Sequence, residues 1–290
     1  MTYTKEGLNT FFEEVISIVD SCTLEKEIPN IKNFRSILYI SFAAFLTYYG
    51  YENIDVIYES FSDTNYLLLD GKHKKSFVEM PMPAYVRTRY EEKDNEIFLE
   101  DYLNIIDNRN MNIRTWFNLF LHEMNHLINS KNNRIIDNSY IRSGISLYDV
   151  YKKNDINKNL NEAFNTLQTE NIENIIYLFS QEKIVTPYFY QMLRKIKKCE
   201  VEETGYGPYP LRTSIIRPLY ENERFKKIYE DNCIFGSIDV IEKEFDERTY
   251  KNAFQDLSDL IEQCNDDIHP SEQHETITKA KTIVKRYLVS

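Results

Sequence analysis

The chain has 290 residues, 42% of them apolar, with 46 acidic against 35 basic side chains and a formal charge of −11. Its 7 glycines are about a third of the usual ~7% share, so backbone positions at φ > 0 are scarce, and neither G-x-G-x-x-G nor G-x-x-x-x-G-K-[ST] occurs. Dinucleotide- and phosphate-cradling folds are thereby excluded, and the acidic balance argues against nucleic acid as a partner.

In chain order, residues 5–20 and 31–49 carry apolar side chains at three-to-four spacing, which predicts two helices. Leu8, Phe11, Phe12, Val15 and Ile16 mark the face of the first, and Phe34, Leu38, Phe42, Phe45 and Leu46 that of the second. From Ile54 to about Phe98, β-branched and aromatic runs predict strands at Ile54–Phe61, Tyr66–Leu69, Ser76–Arg87 and Glu96–Leu99. Pro81 and Pro83 mark an edge or bulge, and Asp70-Gly71 a hairpin turn. Residues 112–130 form the clearest helix, with Ile113, Trp116, Phe117, Phe120, Leu121, Met124, Leu127 and Ile128 in register. Tyr140–Tyr151 reads as a further strand, Leu160–Leu178 as a helix, and the chain after Lys183 as helices broken at Pro187, Gly205–Pro210, Gly236 and Pro270.

The expected fold class is therefore α+β and mostly helical, with a small N-terminal mixed sheet packed on the 112–130 helix and a helical C-terminal half. Residues 1–170 and 171–290 form the expected subdomains. Four scattered cysteines with no C-x-x-C fit a reducing compartment. Residues 1–20 lack the apolar run of a secretory signal, and 37–49 is too short to cross a bilayer, so a cytoplasmic protein without a membrane partner is expected.

His122-Glu123-Met124-Asn125-His126 lies inside the clearest helix. Residues i and i+4 share a helix face about 5–6 Å apart, so both imidazoles can reach one Zn²⁺. Glu123 stands beside the first of them, within reach of a water on such an ion, where a carboxylate can serve as general base. Two hydrogen-bonded histidines on a helix edge would account for the same letters without chemistry. A catalytic zinc needs a third protein ligand. Asn129 and Asn132 stand where a metzincin has Gly and His; His269 and His274 fall in a polar surface segment. Glu162, followed by the small Ala163 in Asn161-Glu162-Ala163, lies beside the apolar face of its helix and is the carboxylate alternative.

H-E-x-x-H followed 35 residues later by Asn-Glu-Ala resembles the gluzincin clan of zinc metallopeptidases, over roughly residues 95–175. The resemblance implies a zincin-like fold, Zn²⁺ held by His122, His126 and Glu162, Glu123 as general base, and a peptide or protein substrate. It makes Glu96–Leu99 the edge strand that would pair with that peptide. It also implies an oxyanion donor, for which Tyr206 and Tyr209 in the Gly/Pro turn at 204–210 are the candidates, with Arg212 and Arg217 close behind. One departure is that Thr166, beside Asn165, stands where many clan members have an acidic residue that orients a zinc histidine. A zinc-dependent peptidase is the function expected. The alternatives are a protease dedicated to one regulatory or host protein and a non-catalytic binding protein.

Overall fold

The computed structural model describes residues 5–29, 34–69, 84–93, 96–106, 113–181 and 210–290. The described residues fall into two compact units, those within 1–128 and 169–181 and those within 129–168 and 210–290. The boundary passes through two long helices, α4 (Ile113–Ser130) and α5 (Lys158–Gln181), each of which contributes residues to both units. The division expected at 170/171 falls inside α5.

The first unit opens with α1 (Lys5–Cys22), α2 (Phe34–Tyr49) and α3 (Ile54–Asp63). Helix α2 is buried on nearly every side, in keeping with a sequence that is apolar almost all round. Phe34 meets Tyr66 and Phe120 edge-on, and Phe42 and Phe45 meet Phe61 in the same manner. Each fully buried phenylalanine contributes about 1.5–3 kcal/mol, so this aromatic cluster is the unit's main support. Phe11 and Phe12 of α1 pack on Phe179 of α5. The strand expected at Ile54–Phe61 is instead α3. Ile54, Ile57, Tyr58 and Phe61 recur at i, i+3, i+4 and i+7, and Ile57 and Phe61 are buried, so the helical period prevails over the strand-like composition.

The first sheet has three strands, β1 (Asn65–Leu69), β2 (Ala84–Lys93) and β3 (Glu96–Ile106), in the order β1-β3-β2. β1 runs parallel to β3 and β2 antiparallel to it, so the sheet is mixed as expected. Glu96–Leu99 belongs to β3, the middle strand of the order; it pairs with β2 on one side, while β1 meets β3 only from Tyr102 to Ile106, so among the described residues the other side of Glu96–Leu99 has no ladder partner. The edge that reaches α4 is β2. The turn expected at Asp70-Gly71, Pro81 and Pro83, and the start of the strand expected at Ser76–Arg87 lie outside the described residues.

The second unit holds a four-stranded antiparallel meander, β4 (Ile135–Ile136), β5 (Tyr140–Ser143), β6 (Ser146–Asp149) and β7 (Asn154–Ile156). The strand region expected at Tyr140–Tyr151 is a hairpin of β5 and β6 that turns at Gly144. Ser143 pairs with Ser146 across Gly144-Ile145, and Gly144 at φ +59° occupies the first central position, as a type II′ turn requires. The expected helical C-terminal region is present as α6 (Pro210–Tyr220), α7 (Glu223–Cys233), α8 (Ile238–Arg248), α9 (Ala253–Gln263) and α10 (His274–Val289). Their core is a second aromatic cluster. Phe164 of α5 lies 4.5 Å from the Tyr229 ring, Phe225 meets Phe245 edge-on, and Phe245 stacks on Tyr287 at 5.1 Å. Among the described residues no helix is long and apolar enough to cross a membrane.

Candidate metal centre

The site is built on α4 and α5. Phe117, Phe120, Leu121, Met124, Leu127 and Ile128 of α4 are all buried, which fixes the roll of the helix about its axis. With that roll fixed, His122 and His126 fall on one stripe, 6% and 8% exposed. Their Nε2 atoms are 3.2 Å apart and their rings meet edge-on, 4.8 Å between centroids. Two nitrogens bound to one tetrahedral zinc at about 2.0–2.1 Å would be separated by roughly 3.3 Å, so the imidazoles already stand at the spacing such an ion demands. Asn125, between them in sequence, is fully buried and accepts a 2.5 Å hydrogen bond from the Tyr49 hydroxyl of α2, which opposes rotation of α4.

Half-buried Glu162 completes the group. One ligand atom from each of His122, His126 and Glu162 lies within 4.8 Å of the others, and this is the His/Cys/Asp/Glu group of that kind among the described residues. The donor set, two imidazoles and one carboxylate, suits zinc with a position left for water or substrate. The residues present therefore fit the ion that the sequence motif implies. His269 and His274, the other described histidines, lie on the surface; His269 accepts from the backbone N–H of Ser271 and so caps a short 3₁₀ turn.

Glu123 stands outside the ligand group. One residue on from His122, it is turned by about 100° around the helix, and its Oε2 accepts the backbone N–H of Val86 at 2.9 Å. That N–H belongs to the edge strand β2, whose sole ladder partner among the described residues is β3, so an amide facing off the sheet anchors the carboxylate. The same helix thus presents ligands in one direction and a fixed carboxylate in another.

Asn161, the first residue of the Asn-Glu-Ala run, anchors the start of α5. Its Oδ1 accepts the N–H of Ile145 at 3.0 Å, immediately after the Gly144 turn. A Cβ at Gly144 would collide with that oxygen, so a glycine and an asparagine far apart in the sequence form one contact next to Glu162. Thr166 is buried and donates its hydroxyl proton to the Glu162 carbonyl of its own helix at 2.9 Å, and Asn165 beside it is also buried. Early in α6, Arg212 pairs with Asp266 at 3.3 Å and donates to the Cys264 carbonyl, a tie within the helical bundle. Tyr206 and Tyr209 lie outside the described residues.

No family model, curated protein or solved structure matches this chain. Two contributors to the geometry went unseen in the sequence. The Val86 amide has no side-chain signature, and the Asn161 carboxamide was visible only as part of a motif.

Proposed function

We propose that the chain is a zinc-dependent peptidase of the gluzincin kind, with His122, His126 and Glu162 as metal ligands and Glu123 as general base. The observation that carries this reading is the convergence of the three donor groups beside a buried carboxylate that is not one of them. A purely structural metal would need the ligands but has no use for Glu123 in that place.

His122, His126 and Glu162 would hold the zinc, which when bound would supply Lewis-acid polarisation of the carbonyl and make an attacking water more acidic. The protein's own share is proton transfer and orientation. Glu123 takes the proton of the attacking water as the new C–O bond forms and returns it to the amide nitrogen as the C–N bond breaks. The Val86 N–H holds one carboxylate oxygen, which removes side-chain freedom that would otherwise be lost at each turnover, a cost on the order of 1–2 kcal/mol for a glutamate. The carbonyl oxygen that gains charge needs a hydrogen-bond donor, for which the sequence offers Tyr206 and Tyr209.

The test is a cleavage assay on a peptide library with protein purified without added metal, compared with chelated protein and with Glu123→Gln. About one zinc per chain is expected, with hydrolysis lost on chelation and restored by zinc. Glu123→Gln should retain the metal and lose at least roughly 10²-fold in rate, the lower bound for removal of a general base. If the Glu123→Gln variant hydrolyses as fast as wild type, Glu123 has no part in the mechanism.

A further inference from the structure

One turn beyond His126, α4 ends in a buried polar cluster that the proposed chemistry does not use. Arg142 has no exposed surface and donates only to main-chain carbonyls among its described contacts: Asn129 and Gly144 at 2.7 Å, Cys233 at 2.9 Å, Asn133 at 3.2 Å, and Asn132. The Asn129 and Cys233 carbonyls lie in the last turns of α4 and α7, where carbonyls lack helical donors and the helix dipole is negative. One guanidinium therefore closes the ends of two helices. Gly236, at φ +73°, leaves the space it needs, since a Cβ there would stand 2.6 Å from Nε of Arg142.

The Asn129 side chain is bound as closely as its carbonyl. Its Nδ2 donates to Gln168 Oε1 of α5 at 2.8 Å, its Oδ1 accepts from the Cys233 thiol at 3.4 Å, and Gln168 Nε2 reaches the same sulfur at 3.9 Å. Asn129, Gln168 and Cys233 are 2%, 0% and 0% exposed. Buried polar groups of this kind give little net stability over apolar packing of the same volume, yet they admit only one geometry, because a displaced amide leaves unsatisfied partners at about 1–3 kcal/mol each. Asn129 follows His122 by seven residues and so lies on the ligand stripe, about 4.5 Å along the axis from His126. Gln168 lies about 9 Å along α5 from Glu162.

We propose that Asn129 and Gln168 are positioning residues for the metal group. Their hydrogen bond, braced by Arg142 and Cys233, sets the separation of α4 and α5 next to the ligands and with it the placement of Glu162 against the two imidazoles. Ligand distances tolerate only about 0.2 Å of error, so loss of this pair reaches the metal before it reaches the fold. The inference rests on the metal reading above.

The test is titration of the full chain with Zn²⁺ in competition with a chelator, and with Co²⁺ followed by visible absorption, which reports ligand geometry. Gln168→Met keeps the volume and removes the acceptor. It is expected to weaken zinc binding by about 10–100-fold and to change the cobalt spectrum. Gln168→Glu, isosteric in the neutral form that burial favours and still able to accept from Asn129, should stay within about threefold of wild type. Ile241→Ala removes fully buried side chain from α8 and should lower Tm while leaving both metal readouts unchanged. If Gln168→Met does not fold, Asn129→Ala, which breaks the same pair with a better helix former, carries the same expectation. Metal readouts unchanged in the pair-breaking variant, or changed equally in Ile241→Ala, overturn the positioning role while the metal reading stands. A wild-type chain that binds neither ion overturns both.

Discussion

The residues with the narrowest tolerance are those on which two constraints meet. Gly144 must hold φ +59° and must also leave room for the Asn161 carboxamide, which bonds the next amide, Ile145. Gly144→Ala meets both conditions badly, so a loss of about 1–3 kcal/mol is expected, read from the midpoint of urea unfolding. An unchanged midpoint would mean that the β5–β6 turn relaxes at no cost. Glu162 is constrained by chemistry instead. Half-buried on α5, it has little packing to lose, so Glu162→Gln should fold as wild type does and lose at least about tenfold in zinc affinity in a chelator competition. Equal affinity would assign the third ligand elsewhere. The two histidines, the Glu between them and the glutamate in Asn-Glu-Ala were all legible as letters at fixed spacing. The glycine's purpose was not, because its Cβ-free contact is with Asn161, on a different element.

At the scale of elements, the readings that failed did so where composition and period disagree. Residues 54–61 are rich in isoleucine, valine, tyrosine and phenylalanine, yet they form α3 because one face is buried against the aromatic core of α2. The strand order of the first sheet was not legible because it depends on long-range pairing: β1 joins the far half of β3, Tyr102–Ile106, in parallel across more than 30 residues. The helices α4 and α5 are tied together in the first unit by Glu173, which accepts from Arg114 and Asn118 at 3.0 Å each, and in the second by Asn129 and Gln168. Near the end of β6, Asp149 accepts the backbone N–H groups of Lys152 and Tyr151, and these bonds hold its carboxyl below the usual carboxylate range. A carboxyl that binds its proton more loosely when folded stabilises the fold above its unfolded pKa of about 3.9, and that support fades as pH falls through the lower folded value. Asp149→Asn should therefore have a lower unfolding midpoint than wild type at pH 6, with the gap narrowing steadily below pH 4. A gap that is the same at both pH values would separate Asp149 from the acid response.

For the molecule as a whole, each of the two units is carried by its own aromatic core. If zinc binds only the folded chain, an excess of about 100-fold over its Kd should add about 2.7 kcal/mol. For a chain of this size that corresponds to an upward shift in Tm of roughly 5 °C, measured by scanning calorimetry with and without chelator. Absence of any shift, with binding shown independently, would mean that the unfolded chain holds the ion as well.

The sequence by itself determined the helix-rich α+β class, the absence of phosphate-cradling motifs and the one helix able to carry two imidazoles at ligand spacing. These are local matters: a period of 3.6, a five-residue spacing and the φ preferences of seven glycines settle them within a few turns of chain. Only the tertiary structure decided that Glu162 stands beside those imidazoles, that a backbone amide of β2 holds Glu123, and that Arg142 closes two helix ends. Each of these joins groups 13 to 91 residues apart through a backbone atom or an ordinary carboxylate, and such groups acquire their meaning only when packing brings them to a partner.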